Sequence, residues 1–206
     1  MCQPSGTVLY ACQQIGTILG KNVLVLGQGG IGLSFTSICA RAGARQVITT
    51  DILDYRLRFS EKFGATHTIN PLKDNLDEVV KEITDGVGAD ITIEAAGYIE
   101  TLNDSIRLVR RFGKTILFGI QESVTNEASP IITRHLMENV PTVIPTVGNT
   151  SGDSISHIER AIELKKRGWW DPGEMITHRL TFDDVNDVYD MYEKHSDGVI
   201  KVVMSK

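Results

Sequence analysis

The feature that most constrains this chain is the glycine turn Gly27-Gln28-Gly29-Gly30-Ile31-Gly32, set directly behind the apolar run Asn22-Val23-Leu24-Val25-Leu26. A short, continuous, β-branched run of this kind marks a strand buried on both faces of a parallel sheet. After the turn, Ile31, Phe35, Ile38 and Ala42 recur at helical spacing, and Gly43 ends the pattern. A lone G-x-G-x-x-G is weak evidence, but strand before and helix after give it the context of a dinucleotide site. Gly27 permits the tight turn, Gly29 lets the backbone approach a pyrophosphate, and Gly32 lets helix and strand pack closely. Gly30 and Ile31 complete the loop. The pyrophosphate then rests on unpaired N–H groups at the positive end of the helix dipole.

Asp51 supplies the second half of the fingerprint. It ends the next strand, Gln46–Thr50, about 20 residues beyond the loop, where a carboxylate can accept bonds from both adenosine ribose hydroxyls. The same charge repels a 2′-phosphate and favours NAD over NADP. Arg56 and Arg58 lie just downstream and could pair such a phosphate if they turned back, which leaves NADP as the alternative cofactor. The plainer role for Asp51 is to cap the helix that follows it.

Strand and helix patterns alternate from there. Helices are expected at Tyr55–Phe63, Leu76–Thr84, Thr101–Val109 and Pro130–Glu138, the last opening on its own proline. Strands are expected at Thr66–Ile69, Asp90–Ile93, Gly113–Gly119 and Thr142–Val147. Such alternation requires right-handed crossovers and gives an α/β, doubly wound, parallel six-stranded Rossmann sheet in the order 3-2-1-4-5-6. Ligands bind such sheets at the carboxyl ends of strands. Two further strand ends therefore join the loop: Ala95 and Ala96, small residues that leave room for a flat ligand, and Phe118-Gly119-Ile120.

The sheet is expected to finish by about Asn149. Beyond it lies a C-terminal helix/strand tail, with an amphipathic helix at Ser154–Arg167, a stripe of Val185, Val188, Tyr189 and Tyr192, and a strand at Val199–Met204. This tail either packs beside the sheet or belongs against something else.

Composition narrows the class. With 21 basic and 26 acidic residues the net charge is −5, which offers no field for a nucleic-acid backbone. No run is apolar enough for a bilayer, and no signal-peptide pattern opens the chain. The expectation is a cytoplasmic protein without a membrane or nucleic-acid partner. Cys2, Cys12 and Cys39 encode neither a disulfide framework nor a zinc knuckle.

With these residues in hand the chain resembles the medium-chain dehydrogenase/reductase family, in particular its zinc-type alcohol and polyol dehydrogenases. The stretches that carry the resemblance are Gly20–Leu26 leading into the loop, Phe63-Gly64-Ala65-Thr66, Asp90–Gly97 and Ile176-Thr177-His178-Arg179-Leu180. It covers essentially the whole chain. It implies a dinucleotide-binding domain at 21–149, preceded by a linker helix at 1–20 from a GroES-like catalytic domain that this chain does not contain. Residues 150–206 would be a tail that, in the family, packs on that domain. The implied whole-protein reaction is reversible hydride transfer between a small alcohol or polyol and the nicotinamide C4, with NAD as cofactor.

By the same resemblance the glycine loop holds the pyrophosphate, Asp51 the ribose, and Arg56 flanks that ribose. Ala95 and Ala96 face the cofactor, Phe118 and Ile120 approach the nicotinamide, and Lys201 in the last strand approaches the pyrophosphate. A solvated edge lysine is the plainer role for Lys201. Cys2 falls on the position of the family's third catalytic zinc ligand, but a single cysteine cannot build a tetrahedral site. None of the five histidines has metal-ligand spacing with it. Zinc is expected only together with the catalytic domain, and no catalytic residue is assigned within this chain.

Two functions follow. The first is the NAD-binding portion of a zinc-type alcohol or polyol dehydrogenase, inactive as this isolated chain. The alternative is a stand-alone dinucleotide-binding module without catalysis; a tail whose apolar stripe is buried within the chain favours it, and an exposed stripe favours the first. The third and weaker class, a methyltransferase, is disfavoured by the match in the tail. The edge strand Thr142–Val147 suggests a homodimer.

Overall fold

The computed structural model describes residues 2–120, 129–146 and 152–206. In chain order the first elements are α1 (Cys2–Ile15), β1 (Asn22–Leu26), α2 (Gly30–Arg41), β2 (Gln46–Thr50), α3 (Asp54–Lys62), β3 (His67–Ile69), α4 (Leu76–Ile83) and β4 (Ala89–Glu94). Then come α5 (Ile99–Arg107), β5 (Val109–Leu117), α6 (Thr133–Asn139) and β6 (Thr142–Pro145). The six strands form one parallel sheet in the order β3-β2-β1-β4-β5-β6. The expected strand order is therefore the observed one.

The central strand explains why the sheet is covered on both faces. All five residues of β1 are buried, and side chains alternate across a strand with period two. Val23 and Val25 enter one core with Phe35 and Ile38 of α2 and with Val8, Ala11 and Ile15 of α1. Leu24 and Leu26 enter the other, with Ile48, Ile69, Leu76 and Val80. Each such side chain contributes about 1.5–3 kcal/mol when fully buried. The apolar run behind the glycine loop is thus the wall between two hydrophobic layers.

The tail docks beside the sheet. Its elements are α7 (Ser154–Lys166), β7 (Ile176–Thr181), α8 (Val185–Glu193) and β8 (Lys201–Ser205). Ala161, Trp170, Met175 and Ile200 join the α1–α2 core, Arg41 Nε donates to the Trp169 carbonyl at 2.6 Å, and Tyr55 Oη donates to the Val199 carbonyl at 3.1 Å. β7 and β8 pair in parallel as a separate two-stranded sheet. His178 lies within β7, its ring hydrogen-bonded to Thr177 at 2.8 Å and Asp197 at 3.1 Å.

Several boundaries differ from the sequence reading. The helix expected to open on Pro130 begins at Thr133. Asn103 is the reason: its amide donates to the Pro130 carbonyl at 3.0 Å and accepts from the Ile132 N–H at 2.8 Å, so those backbone groups are spent outside the helix. The helix expected to run to Val109 stops at Arg107, and Val109 already pairs with Ala89 in the sheet. β6 ends at Pro145, a residue without an N–H to extend the ladder; Val147 and Asn149 lie outside the described residues. No helix among the described residues is long and apolar enough to cross a membrane.

Candidate dinucleotide site

The carboxyl ends of β1, β2, β4 and β5 meet around the glycine loop. Gly27 has φ +91°, and its N–H donates to the Thr50 carbonyl at 2.8 Å, which ties the turn to β2. A Cβ on Gly27 would come within 2.8 Å of Ala96 Cβ, and one on Gly32 within 1.8 Å of the Gly27 carbonyl oxygen. Gly29 and Gly30 contrast with these: a Cβ on either meets nothing within 4 Å among the described residues. Gly29 is the N-cap of α2 and no side chain caps it. The first N–H groups of α2 lack intrahelical partners and open onto free space where the backbone carries no side chain. That cradle fits a pyrophosphate.

Asp51 is buried beside it. Its Oδ2 accepts from the Gln28 N–H at 2.7 Å and its Oδ1 from the Leu53 N–H at 2.9 Å. The carboxylate therefore braces the loop and closes a local turn at Leu53 just before α3; Leu53, the N-cap of that helix, makes no side-chain cap bond, so Asp51 does not cap α3. Ribose recognition would use the lone pairs left over. Arg56 lies 3.6 Å from Oδ2 and 3.5 Å from His195 Nδ1, while Arg58 is exposed. The guanidinium is turned back toward Asp51, the placement from which it could also pair a 2′-phosphate.

The other predicted residues divide. Ala96 lies against Gly27, and the Ala95 N–H donates to the Leu26 carbonyl at 2.9 Å. Phe118 turns inward, its ring edge-on to Phe35 at 5.1 Å. Gly119 has no room for a Cβ, which would come within 2.4 Å of both Glu94 Oε2 and the Gly97 nitrogen. Ile120 is exposed. Lys201 lines a cavity of about 460 Å³ together with Gly30, Ile31 and Ser34, so the last strand does approach the loop. The tail stripe is mixed: Val188 is buried, Val185 and Tyr192 are half-buried, and Tyr189 is 72% exposed.

Sequence reading missed two buried groups. The Gln28 amide donates to the carbonyls of Val25 at 3.3 Å and Gly27 at 3.0 Å, and accepts from Thr36 Oγ1 at 2.9 Å. Glu94 Oε1 accepts from the N–H groups of Ala96 at 2.9 Å and Gly97 at 2.8 Å and from Thr101 Oγ1 at 2.8 Å, shaping the turn after β4. A polar residue at the open position of the motif was the one available signal for Gln28. Glu94 carried none beyond its strand-end position.

Zinc does not fit what is present. Cys2 is exposed at the start of α1, and no group of three His, Cys, Asp or Glu residues able to hold a metal occurs among the described residues.

A family model described as zinc-binding dehydrogenase matches residues 30–166, more than half of the chain. The L-threonine 3-dehydrogenase of Stenotrophomonas maltophilia is 29% identical over 203 residues, 98% of this chain and 56% of that protein. An alcohol dehydrogenase of Cupriavidus necator is 31% identical over 188 residues, 90% of this chain and 50% of that one. The chain thus spans about half the length of these curated relatives. Among solved structures, a protein described as a zinc-binding dehydrogenase from Sinorhizobium meliloti, bound to NADP, superposes with a TM-score of 0.84 at 28% identity, over all of this chain and 58% of that one. With the sheet order, the glycine cradle and the family match in agreement, this chain belongs to the zinc-binding dehydrogenase family.

Proposed function

We propose that this chain binds NAD(H) on the glycine loop and serves as the cofactor-binding portion of a zinc-type alcohol or polyol dehydrogenase. The observation that carries the reading is the pair of glycines, Gly29 and Gly30, whose missing side chains leave the N-terminus of α2 open. When bound there, the dinucleotide supplies a hydride acceptor at its nicotinamide C4. The residues of this chain bind and orient it. The α2 N–H groups and Lys201 hold the pyrophosphate, and Asp51 accepts from the ribose with Arg56 beside it. Ala95 and Ala96 leave a flat surface toward the nicotinamide end, where Phe118 and Ile120 stand. Polarising the alcohol is left to residues outside this chain, so the chain alone binds cofactor without turnover. The exposed Tyr189 supports this reading, since it leaves part of the tail stripe free for a neighbouring domain; the buried Val188 favours the stand-alone module instead. We also infer a homodimer through the edge of β6, which pairs only with β5 among the described residues.

The test is an NADH titration followed by nicotinamide fluorescence, with Gly29→Ala as the control. Wild type should saturate, and the variant should lose about tenfold or more in affinity, about 1.4 kcal/mol. Its melting temperature should not move, because the added methyl meets no protein atom. No saturable signal at millimolar NADH overturns the proposal. NADPH should bind more weakly than NADH, since Asp51 repels the 2′-phosphate.

A further inference from the structure

The amino-terminal edge of the sheet, opposite the glycine loop, carries a second feature that the dinucleotide does not use. A cavity of about 220 Å³ opens there between the end of α1 and the start of β5, with Lys21, Asp90, Arg110, Phe112 and Lys114 in its wall. Three cations face one carboxylate, in a chain whose net charge is −5. That carboxylate is already committed. Asp90 accepts from the Asn22 N–H at 2.9 Å and from Arg110 Nε at 2.7 Å, with Lys21 Nζ at 3.9 Å. Burial works against its charge, but these donors outweigh it and hold the carboxyl below its usual range. Three basic side chains against this one carboxylate leave the wall with an excess of cationic groups.

The loop that builds this wall is strained. The β4–β5 pairing jumps from Ala89↔Val109 to Ile91↔Lys114, so residues 110–113 leave the ladder as a bulge. At its tip Phe112 has φ +59°, a region that bulky L-residues rarely enter, and its side chain is 64% exposed. The Arg111 guanidinium carbon lies 5.1 Å from the centre of its ring. An apolar ring held in the open at a backbone cost, among cations, is a poor solution for stability alone. Strain of this kind concentrates where a ligand is held.

The geometry points to a second binding site, for a small phosphate monoester whose organic part packs on Phe112 while its phosphate sits among Lys21, Arg110 and Lys114. The volume decides the size class. At about 220 Å³, less than half the volume of the cavity at the glycine loop, it suits a small monoester better than a whole dinucleotide. Lys114 anchors one side, its Nζ donating to the Ile15 carbonyl at the end of α1 at 2.6 Å, and an ammonium has two further protons to give.

Phenyl phosphate is the probe, titrated calorimetrically into the full chain with and without saturating NADH. Saturable binding that survives NADH is expected, with inorganic phosphate weaker because it lacks the ring. Lys21→Met should weaken phenyl phosphate by about tenfold. Phe112→Gly separates function from folding: it should weaken the probe by a similar factor while raising the melting temperature, because glycine accepts a positive φ without strain. Three results overturn the proposal: no saturable heat up to ~10 mM probe, which is weaker than about 3 kcal/mol of binding; displacement by NADH, which moves the ligand to the glycine loop; or unchanged affinity in both variants.

Discussion

The half of the sheet that carries the glycine loop and the half that ends at β6 repeat the same strand–helix unit, yet they are finished to different degrees. Around β1 every strand residue is buried, and α2 packs against β1, β2 and α1 with Leu33, Phe35 and Cys39 fully covered. At the outer edge α6 has no buried residue, and the four residues of β6 are exposed or half-buried. Met137 is 79% exposed, and Val140 ends the helix with a left-handed φ of +44°. The contrast teaches that the inner half is stabilised by its own packing, whereas the outer half leaves its last helix and strand largely uncovered.

The comparison can be broken at several points. The largest effect is expected at Gly32→Ala, whose methyl would overlap the Gly27 carbonyl. Forcing helix and strand apart should cost on the order of 3 kcal/mol or more and abolish NADH binding, as read by urea denaturation and fluorescence titration. Gln28→Ala should come next, at about 1–3 kcal/mol, because it strands the Thr36 hydroxyl and two carbonyls in a dry interior. Both tests fail if the outer half proves the more sensitive.

A third experiment probes the seam between the halves. The folded pKa of Asp90 lies below its ordinary value, so its ion pairs stabilise the protein above the ordinary carboxylate range. That contribution is lost as pH falls through the lowered value. Asp90→Asn should therefore lower the urea midpoint at neutral pH and lose that deficit as pH falls below the ordinary carboxylate range; a deficit independent of pH contradicts the assignment. The smallest effect on the fold belongs to the outer edge. Met137→Lys should change stability by no more than about 0.5 kcal/mol, yet shift the proposed dimer toward monomer in light scattering. Wild type that is monomeric at all concentrations removes the dimer.

Much of the fold was legible because its signals are local. The run Val23–Leu26, the glycines at 27, 29 and 32 and the strand-end Asp51 each declare themselves within a few residues. The start of α6 was not legible, because Asn103, 27 residues from Pro130, takes the backbone groups that a proline-opened helix would use. The bulge at 110–113 was hidden for a similar reason: only pairing against Ala89 and Ile91 reveals the extra residues. At the site the loop and Asp51 were readable, and the second duty of Asp51, bracing Gln28, was not.

By itself the sequence determined the alternation of buried strands and helices, the strand order that right-handed crossovers allow, and the glycine loop with its acidic partner. These follow from periodicity and from the steric freedom of glycine, which neighbouring residues cannot conceal. Only the tertiary structure decided how the tail packs on α1 and α2, how Lys201 reaches the loop, and where Phe112 and three cations meet at the opposite edge. Those juxtapositions join residues up to about 200 positions apart, as Pro4 and Met204 are. Long-range packing and charge, rather than any local pattern, bring them together.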